Sequence, residues 1–392
     1  MDFYLLNYIL IGPAAWALLW LGLLMGRARM NRLRRPPLPL PSPPSSLSII
    51  VPAKDEAGYI RTCVEGLLAQ DYPGFEVVVI DDRSTDGTGE ILRQLARERG
   101  NPPTAAVRVV HVDHLPDGWL GKCHALHVGT RNIDSEWLLF VDSDVSLAPE
   151  AARAAVALAE TREYDAVSLI TRIQPRTFWE GLMIPILGAT WATMFTVSLT
   201  NADHRRHIAA ANGQFFLIRR RAYQMVGGHG AVRNEIVEDV ELMRRLKHEG
   251  FKCRFMIGTH LASTRMHATM AELRSGWGRI FAGTGRFRRR RIYGGIVFAT
   301  LSSLSVYPAL AFGIWKFATV SDWRWITAAG VHWVLLTTFL LHLYSATRCS
   351  KLYALLPFIS FPVLIRLLGE GLKRCRDRKF EWRGTAVTIG ET

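Results

Sequence analysis

The sequence predicts an α/β domain with a largely parallel sheet, held between N-terminal and C-terminal transmembrane helices. Three observations carry this. Short β-rich runs alternate with helical stretches from Leu47 to about Arg291, apolar stretches long enough to cross a bilayer lie outside that region, and arginine and lysine clusters flank those stretches. The 392 residues leave room for one large domain and several spans.

The first element, Phe3 to Met25, is nearly uncharged and long enough for a hydrocarbon core of about 30 Å. Asp2 precedes it and Arg27, Arg29, Arg32, Arg34 and Arg35 follow it, so the positive-inside tendency places the N-terminus outside and the next segment in the cytoplasm. A cleaved signal peptide carries its basic residues before the apolar run. The order here is reversed, so residues 1–26 are read as a retained anchor. Residues 27–46 form a basic, proline-rich linker, stiff and extended from Pro36 to Ser46.

The domain is expected over 47–291. Its strands are Leu47 to Val51, Val77 to Ile80, Val107 to Val112 and Trp137 to Val141, and helical patterns fill Tyr59 to Ala69, Ile91 to Arg99 and Lys122 to Arg131. Asn212 to Arg221 reads as a strand and turn, and Glu238 and Asp239 open a helix continuing from Val240 to His248. The apolar run Phe178 to Leu199 (178–199) sits between motifs that must share one compartment, so a single crossing is rejected there. It is either a helix lying on the membrane interface or one buried in the domain.

The C-terminal transmembrane region is expected over 292–369, with Ile292 to Ala318 and Trp325 to Ala346 forming a hairpin back to the cytoplasm. Leu352 to Leu368 is shorter, contains Pro357 and Pro362, and is read as re-entrant or surface-lying. Residues 370–392 form a basic cytoplasmic tail.

Composition narrows the functional classes. The chain has 48 basic and 34 acidic residues, a formal charge of +14, which suits nucleic acid, an anionic membrane or anionic substrates. The clusters decide for the membrane, because they sit at the ends of apolar runs: the arginines after Met25, Arg286 and Arg288 to Arg291, and Lys373, Arg374, Arg376, Arg378 and Lys379. No nucleic-acid partner is expected. The five cysteines are scattered, without a CxxC pair, and exclude a disulfide framework. His111, His114, Cys123, His124 and His127 match no standard metal spacing and are read as polar loop and helix-face residues.

Chemistry is expected beyond the carboxyl ends of the strands, where open α/β sheets bind ligands. Three clusters fall there: Pro52, Lys54, Asp55 and Glu56; Asp81 to Gly87; and Asp142, Ser143 and Asp144. Helix capping explains Ser84 to Asp86, but not Asp81 and Asp82, which are placed to accept hydrogen bonds from a base or ribose. If the strand stays extended, Asp142 and Asp144 point to one side with Ser143 opposite. Paired carboxylates suit Mg2+ or Mn2+ held together with diphosphate oxygens. Glu238 and Asp239 complement a helix dipole, and either acid is also placed as a general base toward an acceptor hydroxyl.

Taken in order, VPAKDEA (51–57), VIDDRSTDGT (79–88), GKCHAL (121–126), FVDSDV (140–145) and IVEDVELMRRLKHEGF (236–251) resemble the family 2 glycosyltransferases. The resemblance implies a GT-A-type nucleotide-sugar-binding domain, a nucleotide-diphosphate sugar donor such as a UDP-sugar, a divalent metal and inversion at the anomeric carbon. Position by position it implies Asp239 as catalytic base and Asp144 with Asp142 as the metal-binding element. Donor contacts would come from Pro52, Glu56, Asp81, Asp82, Lys122 and Asp142.

GWLGK (118–122), FWEGLMIPIL (178–187) and Arg205 to Gly213 are similar to enzymes of hopanoid and carotenoid biosynthesis and, more distantly, ceramide glucosyltransferases. That implies a lipid acceptor at the cell (inner) membrane, approaching along Phe178 to Leu199, with Glu238, Trp277 and Arg279 near the acceptor. Processive members carry Gln-x-x-Arg-Trp, whereas Arg274 to Arg279 holds the tryptophan and arginine in reversed order, so transfer of a single sugar is expected. A processive polysaccharide synthase and an inactive nucleotide-sugar-binding membrane scaffold are the alternatives.

Overall fold

Successive side chains of a strand point to opposite faces, so a strand covered on both sides reads as a continuous apolar run. The runs from Leu47 and Val77 are of that kind. The computed structural model describes residues 3–29, 33, 38–99, 105–194, 197–264, 269–284, 289–377, 379–382 and 385–388. Arg32, Arg34, Arg35, Arg286, Arg288 and Arg378 lie outside them. The chain divides into two compact units: Met1–Arg29, Pro175–Phe195 and His267–Lys379 in one, and Met30–Gln174, Thr196–Met266 and Phe380–Thr392 in the other.

The second unit is α/β. Its strands are β1 (Leu47–Ala53), β2 (Phe75–Asp82), β3 (Ala105–Val112), β4 (Trp137–Phe140), β5 (Val145–Leu147), β6 (Ala166–Ile170), β7 (Arg172–Ile173), β8 (Phe216–Arg219), β9 (Cys253–Ile257) and β10 (Ala262–Thr264). A seven-stranded sheet runs β3-β2-β1-β4-β8-β6-β9, and β5-β10-β7 form a small second sheet. β1 is parallel to β2 and β4, with Leu47 opposite Phe75 and Trp137; β8 is antiparallel to β4 and β6.

Ile49, Val51, Val77, Val79 and Leu139 face one core, packed under the helices Ile60–Leu68, Thr88–Arg99 and Ala151–Thr161. Their alternates Ile50, Val78, Ile80, Leu138 and Phe140 face the other, with Leu126, Tyr223, Leu242 and Leu246 from the helices Gly121–Gly129, Arg220–Met225 and Glu238–His248. Each fully buried side chain of this size contributes about 1.5–3 kcal/mol relative to exposure. The sequence reading missed β6 and β9. It also carried β4 one residue too far: the strand ends at Phe140 and the chain turns at Ser143 and Asp144.

The first unit is helical. Three of its helices are long and apolar enough to cross a membrane, at Phe3–Met25, Arg289–Val320 and Arg324–Ala346. The first is interrupted at Gly12, where Pro13 removes a backbone donor. The second contains a π-helical stretch, Ala299–Leu304, and the Ser302 carbonyl accepts from the Trp16 indole and lies 2.9 Å from His332 Nε2. Leu352 to Leu368 resolves into a 3-10 turn, Lys351–Leu355, and the helix Pro357–Asp377, which takes in Pro362.

The helix expected over 178–199 ends at Met194, followed by a 3-10 turn at Val197–Leu199. Its middle, Gly181 to Leu187, is buried within the unit, and Tyr344 Oη donates to Leu182 O at 2.8 Å, while Phe178 and Trp179 keep 45% and 37% exposure. Of the linker expected over 27–46, residues 27–29 continue the first apolar helix to Arg29, and the other described residues, 33 and 38–46, are neither helix nor strand.

Candidate active site

Two loops beyond the carboxyl ends of β1 and β2 are laced together by short polar side chains. Asp55 N donates to Ser84 Oγ at 3.1 Å, Thr85 N to Asp55 Oδ1 at 2.8 Å, Glu56 N to Thr88 Oγ1 at 2.8 Å and Ala57 N to Asp86 Oδ2 at 2.9 Å. Asp55 and Arg83 hold φ of 53° and 55°, the left-handed region that local side-chain hydrogen bonds make tolerable.

Both acids at the end of β2 are buried and partnered. Asp81 accepts from Ser84 N at 3.3 Å and lies 3.2 Å from His111 Nδ1, and Gly89 packs against it, since a Cβ there would stand 2.5 Å from Asp81 Oδ2 and push the carboxylate aside. Asp82, 1% exposed, is held by Arg83 through two bonds of 2.7 and 2.9 Å. A base or ribose reaching Asp82 therefore shares its carboxylate with Arg83.

Lys122, in the first turn of the helix Gly121–Gly129, is not the exposed helix lysine its position allows. Its side chain is 22% exposed and Nζ lies 2.7 Å from Asp142 Oδ1 and 2.8 Å from Glu238 Oε1. Burial works against the ammonium charge, but Asp142, Glu238 and Asp239 keep its pKa well above the ordinary lysine value. Asp239 accepts two backbone N–H groups, Gly213 to Oδ2 at 2.6 Å and Val240 to Oδ1 at 2.7 Å. Burial, then the adjacent Glu238, raise its pKa to about 7 against the opposing pull of Lys122. Pro52, Lys122, Asp142, Glu238 and Asp239 line one narrow cleft, partly open to solvent, with Gly213 and His229.

The turn after β4 gives the two acids expected side by side different partners while keeping them within electrostatic reach of each other. Asp142 turns to Lys122, whereas Asp144 Oδ2 accepts from Thr264 Oγ1 at 3.1 Å. Ser143 is not idle on the opposite side: it donates to Glu56 Oε1 at 2.8 Å. Burial, with Asp142 next, raises the Asp144 pKa to about 6. A buried acid repelled by a neighbouring acid is a place where a cation relieves strain, and Mg2+ or Mn2+ takes one or two carboxylates when nucleotide phosphates complete its shell. The donor set fits such an ion on those terms. Among the described residues no group of three or more His, Cys, Asp or Glu could hold a metal by itself.

Trp277 and Arg279 belong to the helical unit, on the helix Met270–Thr284. Trp277 is 6% exposed and packs on Phe281 with ring centroids 5.7 Å apart. In the histidine cluster Trp119 lies 5.3 Å from His124 and 4.9 Å from His127, ring to ring. Sequence reasoning gave no role at the site to Gly213, Ser143, Thr264 or His229, although it placed Ser143 in the cluster with Asp142 and Asp144. The -Asn-Gly- pair at 212 and 213 was the one signal available for the first.

An α/β sheet with acids beyond its strand ends, and a basic residue between acids in one cleft, is the arrangement expected of a GT-A-type domain. Residues 43–286 match the profile of the family described as glycosyltransferase like family 2, and the chain belongs to that family. It is a glycosyltransferase.

The 4,4'-diaponeurosporenoate glycosyltransferase of Staphylococcus aureus strain MRSA252 is 23% identical over 356 residues, covering 88% of this chain and 89% of that protein. The protein of that name in strain USA300 is 25% identical over 240 residues, 59% of this chain and 60% of its own. Among solved structures, a mannosyltransferase of Pyrobaculum calidifontis in complex with GDP-Man and Mn2+ superposes with a TM-score of 0.55 at 18% identity, covering 95% and 98% of the two chains. The fold expected from the motifs is thereby shown.

Proposed function

We propose that the protein is an inverting, metal-dependent enzyme that moves a single sugar from a nucleotide diphosphate to a membrane lipid. The observation that carries this is Lys122 joining Asp142 to Glu238 beside Asp239 in one cleft. That arrangement supplies a donor side and a base side within reach of one sugar ring.

In the reaction, an acceptor hydroxyl oxygen attacks the anomeric carbon, the bond from that carbon to the diphosphate oxygen breaks, and its electron pair leaves with the diphosphate. Asp239 takes the hydroxyl proton. Two backbone N–H groups hold its carboxylate in place, and a pKa near 7 suits a base working near neutral pH. Asp144 and Asp142 are the residues that would hold Mg2+ or Mn2+, which when bound supplies positive charge to the departing diphosphate. Glu56, Asp81 and Asp82 would meet the nucleoside and Pro52 and Lys122 the rest of the donor. Glu238 fixes Lys122 on the acceptor side. Trp277 and Arg279 are assigned to the acceptor or lipid head groups.

The Staphylococcus relatives are named for a carotenoid acid and the Pyrobaculum structure for a GDP-sugar with Mn2+. These names support a lipid acceptor and a metal-bound nucleotide donor here. With three helices able to span, we place the protein in the cell membrane as a multi-pass protein with 47–291 in the cytoplasm. Product configuration tests the mechanism. Donors with an axial anomeric linkage should yield the equatorial product by NMR, and retained configuration would exclude single displacement by Asp239.

A further inference from the structure

One wall of the Asp239 cleft carries a polar group that the proposed chemistry leaves unused. His229 is 3% exposed and lines the cleft beside Lys122, Gly213 and Asp239. It stands in the 3-10 turn Gly228–Val232, reached through Gly227 and Gly228 at φ of 79° and 52°. Gly228 is required twice over, by its left-handed backbone and because a Cβ there would stand 2.5 Å from Tyr223 Cζ. The bare backbone lets the Tyr223 ring lie against the turn.

Tyr223 in turn fixes the imidazole. Its Oη accepts the His229 backbone N–H at 3.0 Å and lies 2.8 Å from Nδ1. Thr130 Oγ1 is farther, 3.3 Å from that Oη, and lies 3.0 Å from each of the carbonyls of Leu126 and His127. The nearer partner for the tyrosine proton is Nδ1, which assigns the tautomer with its N–H at Nε2. Among the described residues Nε2 has no hydrogen-bond partner. Burial, with Lys122 and His127 adding to it, lowers the His229 pKa to about 3, so the ring is neutral.

We propose that His229 binds the transferred sugar, donating its Nε2–H to a hydroxyl of the ring. This rests on the transferase reading above. The sugar is bonded to the diphosphate and attacked by a hydroxyl that Asp239 deprotonates, so it sits at the cleft that Asp142, Lys122 and Asp239 line, and His229 lines that same cleft. Sugar hydroxyls are uncharged, which suits a neutral imidazole. Leu126, Phe140 and Phe216 line the same cleft and give it an apolar side for the carbon face of a sugar ring.

The test uses the full-length protein in detergent with Mn2+, and UDP-glucose, UDP-N-acetylglucosamine and GDP-mannose as donors, each against its free nucleoside diphosphate. For the donor the wild type uses, His229→Ala should weaken nucleotide-sugar binding about tenfold and leave the free diphosphate within about twofold. Gln places an N–H near the Nε2 position and Asn does not, so His229→Gln should recover most of the loss and His229→Asn little. Unchanged diphosphate affinity also reports that the variants fold. A wild type that binds and transfers, with His229→Ala losing sugar and diphosphate affinity equally or neither, overturns the assignment of His229 alone. A wild type that binds none of the three donors overturns the donor-site reading and this inference with it.

Discussion

Asp239→Asn separates chemistry from folding, because the structure makes its two effects on stability opposite in sign. The Asp239 carboxylate accepts from Gly213 N at 2.6 Å and Val240 N at 2.7 Å. An amide has one acceptor oxygen, so in either orientation one backbone N–H faces an NH2 group, and a lost hydrogen bond to a charged group costs about 1.5–3 kcal/mol. Against this, burial and Glu238 raise the carboxyl pKa from 3.8 to about 7, so its ionised form carries a penalty of about 4 kcal/mol that the neutral amide does not.

The sign follows directly. The folded acid holds its proton more tightly than the unfolded one, so this group's contribution to stability falls as pH rises from about 4 to about 7. At pH 8 the variant should therefore be as stable as the wild type within about 2 kcal/mol, while transfer falls by about 10² to 10⁴ with the base removed. Thermal unfolding in detergent, donor binding by calorimetry and labelled-sugar transfer measure the three quantities. The reasoning is refuted if Asp239→Asn keeps transfer within threefold of wild type, or loses it only in step with donor affinity.

Lys122→Met should cost about 2–3 kcal/mol in stability, because the buried Glu238 and the partly exposed Asp142 are left without their shared cation, and denaturant titration reads this. Since Lys122 pulls the Asp239 pKa down, the acidic limb of kcat/KM should move above pH 7 in any variant that folds. Asp144→Ala should abolish the gain in nucleotide-sugar affinity that Mn2+ gives the wild type, measured by calorimetry with and without the ion. In the wild type that gain should shrink as pH falls through about 6, where Asp144 takes up a proton. Gly213→Ala places a Cβ 3.1 Å from Lys122 Nζ and 3.6 Å from Asp239 Oδ2, and should cut kcat about tenfold or more with little change in melting temperature.

The strands that carry the site were legible where burial on both faces wrote itself into uninterrupted apolar runs, as in Leu47–Ala53 and Phe75–Asp82. The half of the sheet formed by β8, β6 and β9 was less so. It is assembled by pairing distant segments, with one antiparallel insertion that no local pattern announces. Asp142 and Asp144 could be found from their place after an apolar strand. Their different partners could not, because they depend on the turn after Phe140 and on Thr264, which reaches Asp144 from a three-residue strand too short for periodicity. Lys122 was ambiguous for a similar reason: an exposed lysine and a buried ion pair have the same sequence, and the partners are 20 and 116 positions away. His229 left no chemical signature, since its role comes from Tyr223 and a glycine conformation.

The most direct measurement is to incubate the purified protein with Mn2+, total membrane lipid and labelled UDP-glucose, UDP-N-acetylglucosamine or GDP-mannose, then separate organic-soluble from polymeric product. Label in the organic phase from at least one donor, lost in Asp239→Asn, is the predicted result. Label confined to polymer would make the protein a processive synthase, and nucleotide binding without transfer to any lipid fraction would contradict the lipid transferase.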